Sequence, residues 1–378
     1  MGHSNPPTAA AVCIGETMAL LVPEQPLPLE RVTSFQHAFG GAESNVARGL
    51  VALGVPTAWI SRVGADGFGR RITEALAADG VDTGAVAVDP HRPTGLYVKE
   101  IGTRGDGTGS RMHYYRRGSA ASALGPGLLG EPAVRSRLDR AGLVHVSGIT
   151  AALSDSALAL LRRLVADRAP GGDRQPGGDR RSDGDRWSDG DRRPDRAPAG
   201  AGPLISFDLN WRPALWRDPD RDPAVLRELA AAADLVLCGA DEAEAVFGTG
   251  DPLELRALLP GPGTLVVKDD SSAATAVDRD GTVTVQPALR VRVVEPVGAG
   301  DAFAAGYLAG TLRGYGQTGR LRLGHLTAAA TLVVSGDHGA PPPAPAVERL
   351  LAAGPEEWAA ALVSADGIAR AGEGALTA

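Results

Sequence analysis

The sequence has little that would suit it to nucleic acid or to a membrane. Among its 378 residues lysine occurs only at Lys99 and Lys268, and the formal net charge is −7. Proteins that bind a phosphate backbone usually carry a basic excess instead. No apolar run reaches about 18 residues, the length that a membrane-spanning helix needs. We therefore expect neither nucleic acid nor membrane as a partner.

Cysteine is equally scarce. Cys13 and Cys238 are the only two, and both lie inside apolar runs without the spacing of a metal site. The first ten residues lack the charged and apolar regions of a secretion signal. These absences predict a cytoplasmic protein with two buried thiols.

Short apolar segments alternate with stretches of helical periodicity, and the hydrophobic fraction of 43% is enough for a large core. Strands that are apolar on both faces and separated by amphipathic helices are typical of a parallel sheet covered by helices, an α/β fold. Ligands of such sheets bind at the carboxyl ends of the strands. The predicted strands are 11–15, 58–63, 143–147, 204–208, 235–238 and 265–268.

Two segments, 17–37 and 93–119, interrupt this alternation. Both have an extended, alternating pattern and no helix between their strands. They predict a small antiparallel sheet that stands off the main one, as a lid over a ligand site, as an oligomer interface, or as both. The α/β core then comprises 11–16, 38–92 and 120–365.

A further segment, 167–203, differs from the rest in composition. It repeats a degenerate Gly-Asp-Arg unit, and 167–196 contains eight Asp and eight Arg with almost no apolar residue. Such a segment cannot bury enough surface to offset its ordering entropy, so we expect a disordered insert within the core. It follows a predicted helix and precedes a predicted strand, which would put it at the amino-terminal edge of the sheet, opposite the ligands.

The strongest chemical signal lies in 291–310, where a glycine-rich turn follows a strand and leads into a helix. The small residues Gly298, Ala299 and Gly300 let backbone N–H groups approach an anion, and a helix N-terminus adds about half a positive charge. Asp301 stands beside that anion site and is a candidate proton acceptor. An ordinary helix cap also explains the pattern, because aspartate is a favoured N-cap residue.

A second signal is the segment GGAESN at 40–45. Gly40 and Gly41 precede a helix whose first turn presents Asn45, and an amide beside permissive backbone suits the recognition of hydroxyl groups. A glycine turn before a helix start explains the pattern equally well. The segment contains no G-x-G-x-x-G dinucleotide fingerprint.

Together the two segments resemble the ribokinase-like (PfkB) family of carbohydrate kinases. GGAESNVARGLVALGV and SRVGADGFG are similar to its amino-terminal signature, and EPVGAGDAFAAG to its carboxy-terminal one. The resemblance implies a three-layer α/β fold, with a mostly parallel central sheet, helices on both faces and a small β-sheet lid. It also implies ATP, Mg²⁺ and transfer of the γ-phosphoryl group to a sugar hydroxyl, and it leaves a monovalent-cation requirement open.

The resemblance assigns roles to several residues. Asp301 would be the base that takes the hydroxyl proton. The backbone amides of Gly298, Ala299 and Gly300 would form the anion hole for the moving phosphoryl group, which suits a reaction that depends on positioning and charge stabilisation.

Metal and nucleotide contacts follow from the same resemblance. Asp241 and Glu244 match the family's Asn-x-x-Glu motif, so we expect them to hold Mg²⁺ through water. Lys268 precedes the position of a Gly-x-x-Gly turn that contacts the nucleotide. Asp270 and Ala273 stand at its two glycine positions.

The substrate-binding segments are similar to those of the 2-keto-3-deoxygluconate kinase branch. Tyr97, Tyr114, Arg116 and Arg212 lie in TGLYVKE, MHYYRRGSA and DLNWRP. In that branch tyrosines of the lid and two arginines hold the substrate, and the arginines pair with its carboxylate, which a guanidinium matches bidentately. Ribose-type members usually carry an aspartate for sugar hydroxyls a few residues after the first strand, whereas this segment offers Glu16 and no such aspartate. The other expected substrate contacts are Gly40, Gly41 and Asn45.

The leading prediction is therefore an ATP-dependent kinase that phosphorylates 2-keto-3-deoxygluconate at its 6-hydroxyl. Two alternatives stay open. One is a kinase of a neutral sugar, such as fructose or ribose, or of a nucleoside; the other is a sugar-binding or regulatory protein that has lost catalysis. The family also predicts a homo-oligomer, a dimer or higher, that pairs through the lid.

Overall fold

A computed structural model of the chain describes residues 10–101, 110–166, 202–216 and 222–370. Nearly all of the segment 167–203 lies outside the described residues, so its disorder stays a prediction. The strands are β1 (Ala11–Ile14), β2 (Met18–Pro23), β3 (Phe35–Gly40), β4 (Thr57–Ile60), β5 (Arg62–Gly64), β6 (Ala87–Asp89), β7 (Leu96–Ile101), β8 (Ser110–Tyr115), β9 (Leu143–Ser147), β10 (Leu204–Asp208), β11 (Leu235–Gly239), β12 (Thr264–Asp269), β13 (Ala273–Asp278), β14 (Val283–Pro287), β15 (Arg290–Val291), β16 (Ala361–Ser364) and β17 (Gly367–Arg370). The α-helices are α1 (Ala42–Ala52), α2 (Gly67–Ala78), α3 (Pro132–Leu138), α4 (Gly148–Ala152), α5 (Asp155–Ala166), α6 (Asp222–Ala232), α7 (Ala240–Phe247), α8 (Pro252–Leu258), α9 (Ala299–Leu312), α10 (Gln317–Leu332), α11 (Ala344–Ala352) and α12 (Pro355–Ala360).

The central sheet has eight strands in the order β14-β13-β12-β11-β10-β9-β1-β4. The six strands from β12 to β4 run parallel, whereas β13 and β14 form an antiparallel hairpin at one edge. The predicted parallel sheet is confirmed. After β1 the chain adds β4 on one side of it and later β9 on the other, so the strand order reverses between β1 and β9. Open α/β sheets bind ligands at such a switch point.

Helices cover both faces of this sheet because its strands are apolar on both sides. Along β1, Val12 and Ile14 pack into one core with α5 and α6, while Ala11 and Cys13 pack into a second core with α1 and α9. This alternation follows from the two-residue period of a strand. The three-layer architecture is therefore confirmed.

The lid is a four-stranded sheet in the order β3-β2-β7-β8. Its strands lie in the two segments that lack predicted helices, but the expectation of an antiparallel sheet is wrong at its centre, where β2 and β7 pair in parallel. The physical reason is that the chain leaves the lid after β3 and passes through α1, the core strand β4, β5, α2 and β6 before β7, so it re-enters the lid in the direction in which it first entered. Two small sheets, β15-β16-β17 and β5-β6, were not predicted.

Both cysteines are free and buried, as predicted. Burial raises the pKa of the Cys13 and Cys238 thiols above the usual value. In the part of the chain that the structure describes, no helix has the combined length and hydrophobicity that crossing a membrane takes.

Candidate active site

A cavity of about 1180 Å³ opens at the carboxyl ends of the parallel strands. Residues that follow β1, β9, β10, β11 and β12 line it, and the lid tyrosines Tyr97 and Tyr114 close it from the side of the lid strands. The site therefore lies at the edge of the sheet that the parallel topology predicts.

Asp301 lies in the first turn of α9 and lines this cavity. Gly298 caps the helix in the left-handed conformation, with φ of 82°, and a Cβ there would meet the carbonyl oxygen of Asp337 at 2.1 Å. Only glycine satisfies both constraints. Burial, with the nearby carboxylates of Asp208 and Asp337, raises the pKa of Asp301 to about 7.

Asn45 joins Asp301 to a second carboxylate that sequence reasoning did not find. Its Nδ2 donates to Asp301 Oδ2 at 3.0 Å and to Asp337 Oδ2 at 3.1 Å. Burial raises the pKa of Asp337 as well. Asp337 follows the end of α10 and belongs to no recognised motif, so no local signal points to it.

Gly40 fits between Asp337 and the lid. A Cβ at Gly40 would lie 2.3 Å from Asp337 Oδ2 and 2.5 Å from the Tyr97 hydroxyl. Tyr97 in turn stacks on Tyr114, with ring centroids 5.7 Å apart. The predicted contacts Gly40, Tyr97 and Tyr114 are therefore neighbours, and Gly41 lines the same cavity.

Arg116 and Arg212 both line the cavity, and each is already paired with a carboxylate. Arg116 donates from Nε to Glu16 Oε2 at 2.7 Å. Arg212, whose side chain is 53% exposed, donates from Nη1 to Glu242 Oε1 at 3.1 Å. Sequence reasoning had not paired these arginines with acids of the same chain.

Lys268 lies at the centre of a charged cluster below the loop that leads into α9. Its Nζ is 3.3 Å from Asp208 Oδ2 and 3.7 Å from the place of a Cβ on Gly300. Burial and the nearby charge of Asp208 raise the pKa of the Glu242 carboxyl. The opposing charges of Asp208 and Glu242 raise the pKa of Lys268 despite its burial, so the ammonium stays charged.

The predicted metal residues are placed differently from the expectation. Asp241 and Glu244 are exposed on α7 and do not line the cavity, whereas Glu242 does. The reason is helical geometry, since the one face of α7 that turns toward the strand ends carries Glu242. Gly239 and Glu242 have the same three-residue spacing as Asn-x-x-Glu, so beginning that motif two residues earlier, at the end of β11, selects the acid that lines the cavity.

Asp270 and Ala273 form the turn between β12 and β13, outside the cavity lining. Asp270 adopts φ of 38°, a conformation that favours glycine. Asp270 thus adopts the left-handed backbone conformation that favours glycine, the residue that the family usually has at this position.

Two buried amide oxygens in the cavity have no hydrogen-bond partner. They are Oδ1 of Asn45 and Oδ1 of Asn210, and both residues line the cavity. A buried acceptor without a donor is costly. Ligand hydroxyl groups would supply the missing donors.

A family model described as "pfkB family carbohydrate kinase" matches residues 8–169 and 197–344. The chain belongs to this family. As a carbohydrate kinase it transfers a phosphoryl group to an alcohol, which confirms the predicted enzyme class, and family membership supports ATP as the donor. The match is interrupted only within the Gly-Asp-Arg segment.

Relatives of this pfkB kinase include enzymes named 2-dehydro-3-deoxygluconokinase, 2-dehydro-3-deoxygalactonokinase and fructokinase. It is 33% identical to the 2-dehydro-3-deoxygluconokinase of Thermoproteus tenax, over 90% of this chain and 94% of the relative. It is 30% identical to the 2-dehydro-3-deoxygalactonokinase of Haloferax volcanii, over 92% and 98%. Among solved structures, the PfkB protein from Polaromonas sp. JS666 is 30% identical, with a TM-score of 0.68 over 85% of this chain and 95% of that one.

Proposed function

We propose that this kinase transfers the γ-phosphoryl group of ATP to the 6-hydroxyl of 2-keto-3-deoxygluconate, also called 2-dehydro-3-deoxygluconate. The observation that carries the proposal is the position of Asp301, a carboxylate at a helix N-terminus that faces a cavity also lined by Arg116 and Tyr97. The names of the Thermoproteus and Haloferax relatives support an acid sugar as the substrate.

Asp301 would take the proton of the attacking hydroxyl. A pKa of about 7 makes its carboxylate a stronger base than an ordinary aspartate while leaving it largely ionised at slightly alkaline pH. The amide of Asn45 fixes its orientation. Asp337, held by the same amide, is available to accept a hydrogen bond from another hydroxyl of the sugar.

The amides of Gly298, Ala299 and Gly300 would receive the transferring phosphoryl group. They lie at the N-terminus of the 14-residue helix α9, whose dipole favours an anion there. The Lys268 ammonium, beside Gly300, adds a positive charge on the same side. Phosphoryl transfer depends mainly on such positioning and charge stabilisation.

The donor set around Lys268 fits Mg²⁺ rather than a metal held by protein alone. Within the described residues, no group of three or more His, Cys, Asp or Glu side chains is arranged to hold a metal. Mg²⁺ usually takes one or two carboxylates, together with waters and substrate phosphates. We therefore propose Asp208 and Glu242, acting through water, in place of Asp241 and Glu244. When bound, the ion would neutralise phosphate charge.

Carboxylate recognition is the role proposed for Arg116 and Arg212. A guanidinium binds a carboxylate through two parallel hydrogen bonds, and each charged hydrogen bond contributes on the order of 1.5–3 kcal/mol. Two such contacts would separate an acid sugar from a neutral one by about a hundredfold or more.

The proposal also includes subunit pairing through the lid. Phe35 of β3 and Tyr115 of β8 are 36% and 62% exposed. Exposed aromatic side chains on a sheet are typical of protein interfaces. Nucleotide contacts at Lys268, Asp270 and Ala273, a monovalent-cation requirement and a cytoplasmic location remain predictions of the family resemblance.

A substrate panel tests the proposed function. Initial rates with ATP and Mg²⁺ would be measured for 2-keto-3-deoxygluconate, its galactonate epimer, fructose and ribose, and the phosphorylated carbon would be located by ³¹P–¹H NMR. We expect kcat/KM for the acid sugars to exceed that for the neutral ones by about a hundredfold. Equal turnover of fructose would rule out the acid-sugar assignment. ATP consumption that no sugar stimulates would instead indicate a protein that has lost catalysis.

A further inference from the structure

We propose that Glu16 positions Arg116 for the carboxylate of the substrate and so determines the preference for an acid sugar, an inference that rests on the proposed function. Glu16 follows the core strand β1, and Arg116 follows the last lid strand β8. Their contact therefore joins core and lid, and both residues line the cavity.

Both carboxylate oxygens of Glu16 are held in place. Oε2 accepts from Arg116 Nε at 2.7 Å and also contacts Nη2, while Oε1 accepts from Ser119 Oγ at 2.5 Å. The Glu16 side chain is fully buried and that of Arg116 is 11% exposed. Because a buried charge is tolerated only when it is paired and hydrogen-bonded, each side chain holds the other in one orientation.

Two glycines leave room for the side chain and the backbone of Glu16. A Cβ at Gly95 would lie 2.7 Å from Glu16 Oε1, and one at Gly41 would lie 2.2 Å from the Glu16 carbonyl oxygen. Position 95 must therefore stay glycine while the Glu16 side chain keeps this orientation, and position 41 must stay glycine because of the backbone at Glu16. An aspartate at position 16 would be one methylene shorter and would not reach both Arg116 and Ser119 from the same backbone.

The pairing leaves one edge of the Arg116 guanidinium for a ligand. A guanidinium has two edges that can bind a carboxylate bidentately, one formed by Nε with Nη2 and the other by Nη1 with Nη2. Glu16 occupies the first edge. Because the group is planar, fixing that edge also fixes the direction in which the second edge faces.

Glu16 also cancels the charge of Arg116, so the pair as a whole attracts anions weakly. Selection of an acid sugar then depends on the fixed bidentate geometry rather than on net charge. Without Glu16, Arg116 would be free to adopt other rotamers, and the acid sugar would lose a matched partner. A neutral sugar, which does not use that partner, would keep its affinity, and Asp301 would still perform the proton transfer.

A double-mutant cycle tests the inference. KM and kcat would be measured for 2-keto-3-deoxygluconate and fructose in the wild type, Glu16→Gln, Arg116→Ala and the double variant. We expect Glu16→Gln to raise KM for the acid sugar by about tenfold or more, to change kcat by less than about threefold, and to have no further effect in the Arg116→Ala background. Additive effects on KM, or an equal loss with fructose, would overturn the inference.

A second buried pair provides the matched control. Asp82 accepts from Arg137 Nε at 2.8 Å and Nη2 at 2.7 Å, and neither residue lines the cavity. Asp82→Asn should lower the melting temperature and leave KM unchanged. Should Glu16→Gln fail to fold, Ser119→Ala removes the contact at Oε1, together with a hydrogen bond from the Ser122 N–H to Ser119 Oγ. It should raise KM for the acid sugar severalfold and leave KM for fructose unchanged; an unchanged KM for the acid sugar would again overturn the inference.

The wild-type measurement distinguishes the two possible failures. If the wild type does not phosphorylate the acid sugar, the proposed function is wrong and this inference falls with it. If the wild type does so while Glu16→Gln and Ser119→Ala both keep the wild-type KM, the proposed function stands and the role of Glu16 alone is wrong.

Discussion

Asp301 and Asp337 share a single donor, the Nδ2 amide of Asn45. Two carboxylates on one amide repel each other when both are ionised, and burial strengthens that repulsion because the low dielectric screens it poorly. Burial is the main cause that raises the pKa of Asp301 to about 7, and the charges of Asp208 and Asp337 add to it. Burial also raises the pKa of Asp337. The arrangement makes a base that is adjusted to neutral pH.

The raised pKa predicts how activity depends on pH. The base acts only when deprotonated, so kcat/KM should rise with pH through about 7 and level off roughly one unit above it. Asp337→Asn removes a neighbouring negative charge and should move this limb to lower pH. A pH–rate profile for both proteins tests the prediction, and a flat wild-type profile between pH 6 and 8 would contradict it.

Replacing the base should affect rate far more than folding. Asp301→Asn is expected to lower kcat by about 10²–10⁴, the usual range for loss of a general base. Because the folded pKa lies above the ordinary value of 3.8, protonation of Asp301 stabilises the fold, and this contribution is lost as pH rises from about 4 through 7. The variant should therefore melt no lower than the wild type at pH 8. A drop in kcat below tenfold would refute the role of Asp301.

At the scale of the element, the start of α9 depends on Gly298. Its left-handed φ would cost an alanine about 1–2 kcal/mol, and its Cβ would also clash with the Asp337 carbonyl at 2.1 Å. We expect Gly298→Ala to lower the melting temperature and to reduce kcat by tenfold or more, because the amides beside the base would move.

Gly281 offers a matched control for that substitution. It has φ of 87° in the turn between β13 and β14, and nothing lies within 4 Å of a Cβ placed there. Gly281→Ala should therefore cost about 1–2 kcal/mol of stability from the backbone alone and leave kcat unchanged. Equal kinetic effects of the two substitutions would mean that the loop before α9 has no special role.

At the scale of the whole molecule, ion pairs join the lid to the core on both sides of the cavity. Glu16 meets Arg116 at one junction, and Lys99 of β7 meets Glu295, ahead of α9, at 2.5 Å. Lys99 and Glu295 are only 16% and 19% exposed, so solvent screens their attraction less than it would at the surface. The position of the lid is thereby coupled to the loop that carries the base.

The Gly-Asp-Arg segment should be dispensable for catalysis. The described residues that flank it, at the end of α5 and the start of β10, lie at the edge of the sheet opposite the cavity. Deleting residues 171–194 should therefore leave kcat/KM within about twofold of the wild type. A loss of tenfold or more in initial-rate assays would show that the segment reaches the site.

Much of this molecule follows from local pattern. The segments Leu143–Ser147 and Leu204–Asp208 coincide with predicted strands because a strand buried on both faces is rich in apolar residues. The glycines before Asp301 could be recognised because the backbone needs them wherever an anion approaches a helix start. The family, the fold class and the residue proposed as the base could therefore be predicted from the sequence.

Contacts between segments that are distant in sequence could not be predicted from it. Asp337 meets Asn45 across 292 positions and Arg116 meets Glu16 across 100, and no local periodicity records such meetings. The position of Asp241 and Glu244 outside the cavity lining has the same origin, because α7 carries several acids and only its packing on the sheet decides that Glu242 faces the cavity. Local chemistry is set by neighbours in sequence, whereas the partner of each charged group is set by how the strands and helices pack together.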